Sequence, residues 1–219
     1  MLELPWQNGD GLIAERVAGR VAREIAEGDI EPGEVLTEVA IAARTGVSRT
    51  PVREAMLQLD RWGLVRLAPK KGAVVTSPTA RDQAELLAVR AMLETSAARS
   101  TAAADVSRGA LVSALRENLA EQRAAVGESR TFATLDFVFH SLVIGHDDNR
   151  VVAEISRTLG PRLYRLTRLA VSARSQDLAG LLDEHVALTD ALDDGDPERY
   201  ARLVAQHIDQ GHASYEVTE

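Results

Sequence analysis

The sequence predicts a mainly α-helical chain in two parts: a small N-terminal unit of three helices closed by a β-hairpin, and an all-α antiparallel helical bundle behind it. Three observations predict it. Apolar residues recur at helical spacing along most of the chain, and alanine, leucine, valine and arginine dominate the composition, which favours helices. Two short β-like runs, 64–67 and 73–76, flank Pro69-Lys-Lys-Gly72, and beyond them no convincing strand follows. Ser77-Pro78 then breaks the pattern: Pro78 biases Ser77 toward extended backbone, and Thr79 can cap a new helix. The expected domains are residues 1–77 and 78–219.

Gly11 to Gly28 reads as the first helix, with Ile13, Val17, Val21 and Ile25 four apart. Gly28 ends it and Pro32-Gly33 turns the chain. A short helix follows Thr37, with Ile41 as its core residue and Arg44 near its C-terminal end, where a cation suits the helix dipole or a phosphate. Gly46 is the turn to the next helix. Ser48 is its N-cap, and Pro51 falls in the first turn, where its missing N–H costs nothing. Val52, Ala55, Met56 and Leu59 face a core, and Trp62 packs at the end. Arg49, Thr50 and Arg53 lie off that stripe near the helix N-terminus. Lys70, Lys71 and Gly72 form the hairpin tip. Helix, short helix, cap, helix and hairpin is the order of a winged helix-turn-helix, and cationic and hydroxyl groups at the start of its second helix suit a major groove.

The charge distribution agrees with that reading. The net charge of −8 argues against indiscriminate binding to nucleic acid. Within Arg44–Lys71, however, seven basic residues face only Glu54 and Asp60. A concentrated basic patch on an acidic chain suits a defined DNA site with a salt-dependent phosphate contribution. The absence of cysteine excludes disulfides, Cys-type zinc sites and thiol catalysis. The N-terminus lacks a secretory pattern, and no apolar run approaches the roughly 18 residues needed to span a bilayer, so a cytoplasmic protein without a membrane partner is expected.

Six helices are expected after Pro78: 79–103, 106–126, 131–144, 149–173, 177–193 and 197–215, with a kink at Gly160-Pro161. The third is apolar nearly all round and therefore central, yet it carries Asp136 and His140, four apart on one face. His185 falls on the stripe of Leu178, Leu181, Leu188 and Leu192, and His207 on that of Tyr200, Leu203 and Val204. A single core histidine is more often a hydrogen-bonded packing residue than a ligand. Four such groups on three helices point instead to a metal site, and a buried carboxylate needs a partner or an ion. Neutral imidazoles with one carboxylate suit Zn²⁺, Ni²⁺, Mn²⁺ or Fe²⁺. Arg90 lies on the stripe of Leu86, Leu93 and Ala97, so it needs an anion: an incoming carboxylate, or Glu94 one turn on. Asn149 starts the fourth of these helices and can serve as its cap.

The run "GDIEPGEVLTEVAIAARTGVSRTPVREAMLQLDRWGLV…KKGAVV" resembles the DNA-binding domain of GntR-type bacterial transcription regulators, with "GVSRTPVREA" its most specific part. It departs from the family at Val39, where some members carry a base-reading basic residue. The run "VRAMLE…DFVFHSLVIGHDDNRVV…EHVALTDALDDGDPERYARLVAQHI" resembles the FCD effector domain of the FadR branch, and six helices fit its VanR-like subgroup. The resemblance implies DNA contacts from Arg44, Ser48, Arg49, Thr50, Arg53, Lys70, Lys71 and Gly72. It also implies a divalent metal on Asp136, His140, His185 and His207, and a ligand contact from Asn149, to which Arg90, by its place on the apolar stripe, is added independently as a ligand-binding residue. A homodimer on a pseudo-palindromic operator follows, usually a repressor, controlled by a small carboxylic acid at or beside the metal. No enzyme is expected. A regulator that senses the metal itself is the alternative, and a metal-dependent hydrolase is disfavoured because no general base faces the ligands.

Overall fold

A computed structural model of the chain describes residues 4, 6, 11–69, 71–102, 105–146 and 149–213, with backbone alone from 210 onward. The chain divides into two compact units. One holds the described residues up to Pro78 together with Glu154–Arg165; the other holds Thr79–Ala153 and the described residues from Leu166 onward. Among the described residues the fold is helical apart from one small sheet.

In the front unit, α1 (Ile13–Glu27) buries Val17, Val21 and Ile25 and ends at Gly28 in the left-handed conformation. Helix α2 (Glu38–Thr45) is capped by Thr37, whose hydroxyl accepts from the Ala40 N–H at 3.1 Å. Helix α3 (Arg49–Arg61) buries Val52, Ala55, Met56 and Leu59, as their spacing requires. Ser48 stands at its N-cap position, but its hydroxyl makes no capping bond. Pro51 removes one of the two usual donors: it occupies the third helical position and has no N–H, which leaves only that of Thr50.

The strands β1 (Val35–Leu36), β2 (Val65–Ala68) and β3 (Gly72–Val75) form an antiparallel sheet in the order β1-β3-β2. The two-residue β1 carries no readable period, so the sequence anticipates only the hairpin. Its pairing places Leu36 opposite Ala73. A side chain at Gly72, with φ of +98°, would overlap the Leu36 carbonyl oxygen. Glycine is therefore required at the turn end of the hairpin, where Gly72 pairs with Ala68, by the sheet itself.

The rear unit comprises α4 (Ala80–Ala102), α5 (Asp105–Ala124), α6 (Ser129–Ile144), parts of α7 (Arg150–Ala173), α8 (Leu178–Asp193) and α9 (Pro197–Ala213). Thr79 and Asp82 cap α4 reciprocally, each side chain accepting from the other's backbone N–H. Asn149 caps α7 and Asp177 caps α8. Helix α7 continues through Gly160-Pro161, with Pro161 inside it. Helices α4 and α9 pack together, as do α5 with α6 and with α8. Phe132, Phe139, Leu115, Leu188, Tyr200 and Val204 are fully buried in the shared core. Helix α6 is central, with Asp136 and His140 buried among its phenylalanines.

Candidate functional site

Helical spacing puts Asp136 and His140 on one face of α6, and α8 and α9 bring His185 and His207 against it. One ligand atom from each of the four lies within 4.8 Å of the others, and all four residues are buried. His140 Nε2 is 3.8 Å and His185 Nε2 3.6 Å from the two oxygens of Asp136. Phe139 stacks on His185 with ring centroids 4.5 Å apart and so fixes the plane of that ring.

The outward nitrogens settle what the inward ones offer. His140 Nδ1 lies 2.9 Å from Glu94 Oε2, and His207 Nδ1 lies 2.6 Å from Glu184 Oε2. Both partners are carboxylates, so each ring carries its proton on Nδ1. His185 Nδ1 lies 2.7 Å from Gln122 Oε1. That amide is oriented by its neighbours: Asn118 donates to the Leu135 carbonyl, and Gln122 Nε2 donates to Asn118 Oδ1. The oxygen of Gln122 therefore faces His185, and this ring too is protonated on Nδ1. His140 and His185 then turn bare, buried Nε2 lone pairs toward the Asp136 carboxylate, and neither Nε2 has a hydrogen-bond partner. Acceptors facing acceptors repel unless a cation lies among them. A proton is a poor candidate: burial, then the neighbouring His207 and His140, push His185 well below the usual imidazole range. Burial and Arg90 likewise lower His140. The donor set, three imidazoles oriented by outer hydrogen bonds plus one carboxylate, suits a divalent transition metal.

The outer acceptors are themselves held. Burial works against ionisation of Glu94, but His140 and Arg90 together more than offset it and hold the carboxyl at about 2. Arg90 Nε donates to Glu94 Oε1 at 2.8 Å and Tyr200 donates to Oε2 at 2.7 Å. Burial also opposes ionisation of Glu184, which His207 and Arg174 lower overall. Arg174 Nη2 donates to Glu184 Oε1 at 2.8 Å. The ion pair anticipated between Arg90 and Glu94 is thus present and buried. Glu184, Gln122 and Arg174 escaped the sequence reading. Gln122 had a signal, because it and Asn118 fall on the apolar stripe of Leu111, Leu115 and Leu119.

A cavity of about 40 Å³ adjoins the cluster, lined in part by Gln83, Arg90, Asp136, Thr167, Arg174 and His207. Arg90 Nη2 and Arg174 Nη1 are buried without a hydrogen-bond partner. Asn149 is not brought to this cavity; it is exposed, and its Oδ1 accepts from the N–H groups of Val151 and Val152.

On the front unit, Ser48, Arg49, Thr50, Arg53 and Lys71 are exposed, and Gly72 is half-buried. Lys70 lies outside the described residues. Arg44 is paired with Glu24 at 2.8 Å. Arg49 and Arg53 both bond Glu38, whose carboxyl they lower, Arg53 first. Trp62 is buried, as a packing residue would be.

Comparison with known proteins matches residues 13–75 to the family described as bacterial regulatory proteins, gntR family, and residues 85–210 to the FCD domain. The "probable D-xylose utilization operon transcriptional repressor" of Paenarthrobacter nicotinovorans is 31% identical over 201 residues, covering 90% of this chain and 85% of its own. The gluconate operon transcriptional repressor of Bacillus subtilis (strain 168) is 30% identical over 200 residues, covering 89% and 81%. Among solved structures, the GntR chain from Rhodococcus sp. RHA1 superposes with a TM-score of 0.75 at 27% identity, covering 91% of this chain and 95% of that one. E. coli McbR/YncC shares the fold with a TM-score of 0.76 at 22% identity, covering 97% of each.

Proposed function

The chain belongs to the gntR family of bacterial regulatory proteins and carries an FCD domain, and from that premise we propose a repressor whose hold on its operator is set by a small carboxylic acid bound beside a divalent metal. The family is one of transcription regulators, not enzymes. No described helix is long and apolar enough to cross a membrane.

In this reading residues 1–77 are the DNA-binding domain and 78–219 the effector domain. Arg49, Thr50 and Arg53 enter the major groove. Ser48, with its hydroxyl released from capping, joins Arg44, Lys70 and Lys71 on phosphates, and the backbone at Gly72 approaches the duplex. Two copies of the chain cover a pseudo-palindromic site. In the rear domain Asp136, His140, His185 and His207 hold the ion. A divalent metal bound there would supply Lewis acidity toward a carboxylate oxygen. Arg90 and Arg174 orient the acid through their unpartnered N–H groups, which is the observation favouring an acid over the ion alone as the signal. An acid that binds the DNA-competent and free conformations unequally shifts their populations and so changes operator affinity.

The observation that carries the metal half is the convergence of two unpartnered imidazole nitrogens on one buried carboxylate. Metal analysis of purified wild-type and His140→Ala protein, paired with operator-binding assays over a panel of small mono- and dicarboxylates, tests it. Wild type is expected to hold about one ion per chain and the variant to lose it together with the acid response. Full occupancy in the variant would remove His140 from the ligand set, and wild type that takes up no metal on reconstitution would end the proposal.

A further inference from the structure

The recognition face of the front unit carries an acid among its cations. Glu38, the first residue of α2, sits between Arg49 and Arg53 of α3. Arg49 donates to Glu38 Oε2 from Nε at 3.3 Å and from Nη2 at 3.0 Å. Arg53 donates from Nε to Oε1 at 2.8 Å and from Nη2 to Oε2 at 3.2 Å. Both guanidinium groups thus turn the same edge, Nε with Nη2, toward one carboxylate. The other edge of each, Nη1 with the second hydrogen of Nη2, makes no bond to Glu38. That edge keeps two parallel donors free, and they match O6 and N7 of guanine in a major groove.

Three considerations give this arrangement a purpose. The arginine side chains are 65% and 68% exposed, so without Glu38 each would sample many rotamers and lose that freedom on docking. An acid on a DNA-facing surface repels phosphate, so it weakens sequence-independent attraction rather than adding to it. Both carboxylate oxygens are already engaged by arginines, so Glu38 acts through them rather than on a base. We propose that Glu38 is a positioning residue that fixes Arg49 and Arg53 for end-on, bidentate reading of two guanines in each half-site, giving up overall affinity for selectivity. This rests on the DNA-binding reading of α3.

The test uses the full-length protein and duplexes selected by wild type from a random pool. The selected sites are expected to contain guanines in each half-site. Replacing each with 7-deazaguanine, which lacks the N7 acceptor, should weaken wild-type binding by about tenfold. In Glu38→Gln the same replacement should cost only about twofold, while affinity for an unselected duplex is equal or higher, with a shallow salt dependence for wild type becoming steeper in the variant. Equal discrimination by wild type and variant overturns the proposal, as does a selected site whose recognition does not depend on guanine N7. Those results leave the regulator reading standing. A wild-type protein that enriches no sequence and binds no duplex overturns both.

Discussion

Glu184 bonds His207 through one carboxylate oxygen and Arg174 through the other. It thereby fixes which nitrogen of His207 is free and ties that choice to an arginine of the adjoining cavity. Glu94 does the same between His140 and Arg90. Outer partners of this kind set ligand basicity and orientation, and their loss typically costs about 10–100-fold in metal affinity. Glu184→Gln is therefore expected to weaken metal binding by about that factor, read by competition with a chelator; an unchanged affinity would leave Glu184 without this role. The four inward groups were legible in the sequence because polar residues on apolar stripes stand out. Their outer partners were less so. Glu184 precedes His185 on α8, where a charged residue beside a core position reads as a solvated one, and only the packing of α9 shows what it holds.

Among the elements, α3 was legible in full because one apolar stripe, a glycine turn and a proline define it. The absence of a capping bond from Ser48 was not, although Pro51 removes one of the two usual donors. The wing illustrates a different limit. The sequence reading placed Gly72 at a tip that approaches DNA; the sheet gives glycine a second reason there, because β1 lies against it. No short strand of two residues announces itself by periodicity. Gly72→Ala is expected to destabilise the front unit by about 1–3 kcal/mol through backbone strain and the displaced Leu36 carbonyl. Thermal or denaturant melts check it, and a variant that melts with wild type would show that β1 can shift freely.

For the molecule as a whole, burial of the histidine cluster links stability to pH. His185 and His140 have folded-state values below the ordinary 6.5, so above that pH both the folded and unfolded chain leave the rings neutral. As pH falls below about 6.5, the unfolded chain takes up protons that the folded rings resist, and stability falls. Glu94 acts in the same direction lower down, its contribution being lost as pH falls from 4.5 toward about 2. Metal-free protein is therefore expected to melt at progressively lower temperature between about pH 7 and about pH 5. A flat profile across that range would mean the rings are not sealed from solvent as described. The break at Ser77-Pro78 coincides with a boundary between the two compact units. The membership of Glu154–Arg165 in the front unit was not legible in the sequence, because it depends on contacts between residues far apart along the chain.

That stretch of α7 has a practical consequence. Arg165 donates to the Thr76 carbonyl at 2.8 Å, and Tyr164 meets Trp6 edge-on with ring centroids 5.4 Å apart. A gene truncated after Pro78 would therefore encode the front unit stripped of some of its own walls, however natural that stop looks on paper. A protease nick at the same bond would leave both fragments complete and still sharing them. Excision by truncation and excision by cleavage are different experiments on this chain.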